Sequence, residues 1–154
     1  MFKSIVVSSD FSPASWKAFQ VGIGLRQKYG ANLSVVHVYP TEDDSNVSSD
    51  LKRRISNIKN SMDKMSAEFN GNDFSGGKGQ SSGKPQPTKI QNIVIPGNID
   101  KELLKFVKDE KFDLVIMGIN GNGEDSLPGS HTSIMLEKST SPVLVIPNNY
   151  GSND

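Results

Sequence analysis

The sequence predicts an α/β domain built on a doubly wound, five-stranded parallel sheet with helices on both faces. Three observations predict it. Short apolar runs alternate with helical patterns four times, and a last apolar run closes the series. Those runs are nearly continuous in apolar residues, as strands covered on both faces require; a strand with one wet face would alternate. Right-handed crossovers then restrict such a series to a doubly wound sheet. The chain has 154 residues and no cysteine, enough for one core and incompatible with disulfides, Cys-based zinc sites or thiol nucleophiles.

The first strand is Ser4-Ile5-Val6-Val7-Ser8-Ser9, ending at Asp10. Ser12-Pro13 then opens a helix, a hydroxyl cap followed by a ring whose fixed φ suits the first helical position. Ala14, Ala18, Val21 and Leu25 make its apolar stripe, and Gly30 sits where a C-terminal cap belongs. Gly22 and Gly24 each cost this helix up to about 1 kcal/mol against alanine, and close packing on a sheet is one reason to keep them. Leu33 to Tyr39 is the second strand, stopped by Pro40. Leu51, Ile55, Ile58, Met62, Met65 and Phe69 recur at spacings of four and three, a long amphipathic helix with its stripe toward the sheet.

Ile90–Ile95 is the third strand. Asn98 caps the third helix, with Asp100 and Glu102 in its first turn and Lys105 and Lys108 later, as the helix dipole prefers. Asp113–Met117 is the fourth strand, Ser130–Ser139 a short helix, and Pro142–Pro147 the fifth strand. Residues 71–87 hold five Gly, three Ser and two Pro, with Phe74 the one large apolar residue. They read as a flexible insertion, since neither flank has enough elements to close a sheet alone. One domain is expected over 1–148, with a tail at 149–154.

Net charge is zero, from 17 basic and 17 acidic residues, so nothing advertises a nucleic-acid partner. The N-terminus lacks the length and cleavage pattern of a signal peptide, and no window approaches a membrane span. The expectation is a cytoplasmic protein with no membrane and no nucleic-acid partner.

Doubly wound sheets bind ligands at the carboxyl ends of strands where the winding reverses. Two strand ends stand out: Asp10-Phe11-Ser12 after the first strand, and Gly118-Ile119-Asn120-Gly121 after the fourth, running on to Gly129-Ser130-His131-Thr132 at a helix start. Phosphate binding needs close backbone approach, which glycine permits, and free N–H groups, which a helix start supplies. Ser130 and Thr132 add hydroxyl donors. The alternative is a glycine-rich turn with a serine cap, common in such connections. His37 reads as a packed, hydrogen-bonded histidine and His131 as exposed or capping; two isolated histidines do not make a metal site.

Several segments together resemble the universal stress protein family. Ile5-Val6-Val7-Ser8-Ser9-Asp10-Phe11-Ser12 is similar to its opening strand and acidic turn, and Val35-Val36-His37-Val38 to its second strand. Gly97-Asn98-Ile99 is similar to the turn before its third helix. Gly129-Ser130-His131-Thr132 through Ser141-Pro142-Val143-Leu144-Val145-Ile146 resembles its last helix and strand. The likeness spans the chain apart from 71–87 and the tail. It implies a Rossmann-like fold of the adenine nucleotide alpha hydrolase type. It further implies a stress-response or regulatory protein that binds an adenine nucleotide, ATP or AMP; the negative charge of Glu124 and Asp125, separately, leads to the expectation of Mg²⁺ with ATP.

Matching positions imply adenine and ribose near Asp10, Val38 and Met117, with the aspartate accepting a hydrogen bond from the nucleoside. They imply phosphates near Gly118, Gly121, Gly129, Ser130 and Thr132. The family's nucleotide-binding branch spaces its glycines Gly-x2-Gly-x9-Gly-Ser/Thr. This chain has seven residues in the second gap, Asn120 in the first and Glu124 and Asp125 in the second. The other reading is therefore a nucleotide-independent interaction protein of the same fold. Resemblance also implies a homodimer through the last strand, Val143–Ile146. No nucleophile–base pair and no Walker or receiver motif is readable, so a binding protein is expected and an enzyme is not; slow ATP hydrolysis stays open.

Overall fold

The computed structural model describes residues 2–41, 48–72, 88–119 and 130–151. Residues 73–87, the bulk of the expected insertion, and 120–129, which hold Gly121, Glu124, Asp125 and Gly129, lie outside the described residues. The elements in chain order are β1 (Ser4–Ser8), α1 (Pro13–Tyr29), β2 (Asn32–Pro40), α2 (Ser49–Asn72), β3 (Gln91–Gly97), α3 (Ile99–Glu110), β4 (Leu114–Gly118), α4 (Ser130–Lys138) and β5 (Val143–Ile146). All neighbouring strands are parallel, in the order β3-β2-β1-β4-β5. The fold class read from the sequence is the one observed. α2 runs through Asn72, two residues into the stretch read as insertion.

Local signals explain the helix ends. Ser12 is extended, and its hydroxyl accepts from the Ser15 N–H at 3.2 Å with Pro13 following. Gly30 takes the left-handed conformation, φ 65°, and its N–H closes on the Arg26 carbonyl at 2.9 Å. Asn98 caps α3 by accepting from the Lys101 N–H at 3.0 Å.

Alternate residues of β1 face two separate cores. Ile5 and Val7 point toward α1 and α2 with Leu33, Val35, Phe19 and Ile116. Val6 points toward α3 and α4 with Val36, Val115, Leu103 and Met135. The two glycines of α1 divide. A Cβ on Gly22 would lie 2.9 Å from Val7 Cγ2, so glycine there lets the helix settle on the sheet. Gly24 is exposed and a Cβ there would meet nothing within 4 Å, so sheet packing does not explain it.

The amino ends of β1 and β4 are tied by one carboxylate. Asp113 Oδ2 accepts from the Lys3 N–H at 2.9 Å and the Ser4 N–H at 3.0 Å. This sets the register Ile5↔Leu114 through Ser8↔Met117, which carries the two strand ends to one level. Among the described residues, no helix is long and apolar enough to cross a membrane.

Candidate functional site

Winding reverses between β1 and β4, and a cleft of ≈ 270 Å³ opens at their carboxyl ends. Val38 from β2 and Met117 from β4 form its apolar base, faced by Ile99 and Leu103 of α3. Asp10 and Gly118 stand at the two strand ends, and Thr132 and His131 of α4 close the far side. Five of the eight sequence-predicted site residues, Asp10, Val38, Met117, Gly118 and Thr132, thus line one cleft. Ser130 begins α4 with an exposed side chain and does not line it. Gly121 and Gly129 lie outside the described residues.

Asp10 is fixed by the first turn of α1. Its Oδ1 accepts from the Ser12 N–H at 3.0 Å and from the Ser15 hydroxyl, while its own N–H donates to Ser15 Oγ at 3.1 Å. Partial burial pushes its carboxyl pKa up, but the hydrogen bonds from Ser12 and Ser15 outweigh this and hold it below the ordinary aspartate value. The group is therefore an anion at neutral pH. Its Oδ2 has no partner among the described residues and is free to accept from a ligand.

Gly118 is required by packing. A Cβ there would lie 2.6 Å from Ala14 Cβ and 2.8 Å from the Ala14 carbonyl carbon. β4 can end against the start of α1 only because the residue has no side chain. Thr132 ties two elements together. Its hydroxyl is buried and donates to the Gly118 carbonyl at 3.1 Å, so its one proton ties α4 to β4 and is not available to a phosphate.

Of three further features, the His131 pair and the Phe11 backbone were not foreseen, while His37 is packed and hydrogen-bonded as expected. His131 pairs through Nδ1 with Asp100 Oδ1 at 2.7 Å, joining the starts of α4 and α3 at the cleft rim. His37 lines the cleft; its Nδ1 meets the Ser9 carbonyl at 2.8 Å, a packed and hydrogen-bonded histidine, and its ring lies 4.5 Å from that of Phe11. Phe11 takes φ 64°, a conformation left-handed and costly for a residue with a Cβ. Asp100 would have been hard to find from spacing, since α3 and α4 belong to different crossovers. His131 was visible as the neighbour of Ser130. Among the described residues, no group of three His, Cys, Asp or Glu side chains could hold a metal ion.

Comparison with known proteins agrees with this architecture. The family model described as the Universal stress protein family matches residues 1–147. Universal stress protein MJ0577 of Methanocaldococcus jannaschii is 38% identical over 60 residues, 38% of this chain and 37% of that protein. The aligned part thus spans little more than a third of that relative. The structure of universal stress protein UspA from Lactobacillus plantarum superposes with a TM-score of 0.67 at 20% identity, covering 94% of this chain and 97% of that one. A universal stress protein family structure from Arabidopsis thaliana with AMP bound superposes with a TM-score of 0.60 at 13% identity, covering 99% and 95%. At these identities the likeness shows the fold.

Proposed function

This chain belongs to the universal stress protein family, and we propose that it is a regulatory protein that binds an adenine nucleotide in the cleft at the ends of β1 and β4. The observation that carries this reading is the cleft's division into two chemically different halves. One half is apolar, with Val38 and Met117 below and Ile99 and Leu103 opposite, a slot suited to a flat base. At its edge the ionised Asp10 keeps Oδ2 for a nucleoside donor. The other half is backbone at Gly118 and the start of α4, where N–H groups and the helix dipole favour anionic oxygens. The AMP held by the Arabidopsis relative is consistent with the same use of the fold.

In this reading Gly118, Gly121, Gly129 and Ser130 surround the phosphates, and Thr132 acts by fixing the Gly118 carbonyl. Glu124 and Asp125 carry negative charge in the same segment, so ATP binding depends on Mg²⁺ more than AMP binding does. The protein is a binding protein rather than an enzyme, and two copies pair through β5, the edge strand. Calorimetry with ATP, ADP, AMP and adenosine, with and without Mg²⁺, tests the reading. Saturable heat with a nucleotide and a Mg²⁺ requirement for ATP support it. Silence with every adenine compound at millimolar concentration selects the nucleotide-independent reading, which the seven-residue gap between Gly121 and Gly129 favours.

A further inference from the structure

On the face of the sheet that carries α1 and α2, the two helices stand apart over β2 and leave a second cavity of ≈ 200 Å³. Val35 and Phe19 form its floor, Trp16 one wall, and Met62 and Met65 the other. The described surface has seven large apolar side chains that are well exposed, and three of them, Phe11, Trp16 and Met65, line this one cavity. Among the described residues that line it there is no Lys, Arg or His, so none of them offers a phosphate or carboxylate a counter-charge.

Its inner end is polar. Asn92 and Ser66 are 7% and 2% exposed. Asn92 Nδ2 gives one proton to Asp63 Oδ1 and the other to Ser66 Oγ, both at 3.0 Å. The Asp63 carboxylate can only accept, which fixes the orientation of the amide. The Asn92 carbonyl oxygen is left with a contact from the same Ser66 hydroxyl at 3.4 Å, the outer limit of a hydrogen bond. An amide oxygen has two lone pairs, so beside this one long hydrogen bond it can accept from a second donor.

We propose that this cavity is a second ligand site, for a planar aromatic heterocycle carrying one N–H donor. Aromatic and thioether walls favour a flat ring, and Asn92 Oδ1 supplies the single polar contact that orients it. An apolar cavity of about 150 Å³ takes up benzene, so this one suits a fused two-ring molecule such as indole. The site is separate from the nucleotide cleft and does not depend on it. The two share a wall, since Ser9 and Ser12 line both and Phe11 packs on His37.

The test is a titration of the ¹⁵N-labelled full chain with indole, followed by NMR. Trp16 is the chain's one tryptophan, so its ring N–H gives a single unambiguous signal beside the Asn92 side-chain amide. Saturable shifts at both, with one dissociation constant, are expected. Ser66→Leu, which fills the inner end, should abolish them. With the unaltered chain, 1-methylindole, which lacks the donor, should bind about five- to tenfold more weakly, the loss of one hydrogen bond. Shifts that stay linear to millimolar indole, undiminished binding by a folded Ser66→Leu, or equal affinity for 1-methylindole would overturn the proposal. The last comparison decides the matter even if Ser66→Leu fails to fold.

Discussion

Gly118→Ala probes how the cleft is assembled. The added Cβ would lie 2.6 Å from Ala14 Cβ, 2.8 Å from the Ala14 carbonyl carbon and 3.0 Å from the Ser15 nitrogen. Carbon atoms sit comfortably at about 3.5–4.0 Å, so the gap must open by roughly 1 Å. Two of the three atoms are backbone in the first turn of α1, which cannot rotate aside as a side chain would. The overpacking therefore falls in the upper part of the usual range, about 2–3 kcal/mol. Loss of glycine's freedom in the unfolded chain returns about 0.5–1 kcal/mol. The net destabilisation is about 1–2.5 kcal/mol, or roughly 2–10 °C in Tm for a chain of this size. Because the same turn holds Asp10 through Ser12 and Ser15, nucleotide affinity should fall with stability. Urea unfolding and thermal melts read the first effect, and calorimetry with AMP the second. A Gly118→Ala protein at least as stable as its parent would refute the packing argument.

Gly24→Ala supplies the opposite sign in α1: with nothing within 4 Å of the new Cβ, the helix should gain about 1 kcal/mol, and a lower urea midpoint would count against this account. Asp10, whose pKa is held below the ordinary value, contributes stability that is present above that value and lost as pH falls through the lowered one. Asp10→Asn should therefore be less stable than its parent at neutral pH, with the difference closing below about pH 4; parallel stability–pH curves would contradict the assigned charge. Leu144 is exposed on the edge strand β5, so Leu144→Asp should convert a dimer to a monomer in light scattering, and a parent already monomeric at micromolar concentration would remove the β5 interface.

Most of the fold was legible because its signals are local. Ser12-Pro13 and Gly30 mark the ends of α1 by the chemistry of single residues, and the structure shows the bonds that chemistry implies. Crossover handedness narrowed the sheet to a doubly wound one, but that β1 and β4 are neighbours, which sets Asp10 beside Gly118, was only a condition in the sequence and is given by the structure. What stayed hidden depends on distances between elements. The His131–Asp100 pair requires α3 and α4 to meet at their starts. The second cavity depends on how far α1 stands from α2, which periodicity does not encode. Phe11 at φ 64° carries no glycine or asparagine to announce a left-handed residue. The hydroxyl of Thr132 looked available because its acceptor, the Gly118 carbonyl, is 14 residues away in sequence.

The place of β1 at the centre of the sheet has a consequence for synthesis. A chain leaving the ribosome N-terminus first can pair β1 with β2 and β2 with β3 from its first 97 residues. The other edge of β1 must wait for β4, and the Asp113 clasp joins residues 109 and 110 positions apart. Until then the nascent half-sheet presents an open apolar edge. Met117, Gly118 and α4 all follow β3 in the chain, so the cleft at the ends of β1 and β4 comes into being only after these have been made. A ligand of that cleft can stabilise a chain that includes β4 and α4, and has no purchase on one that stops at β3.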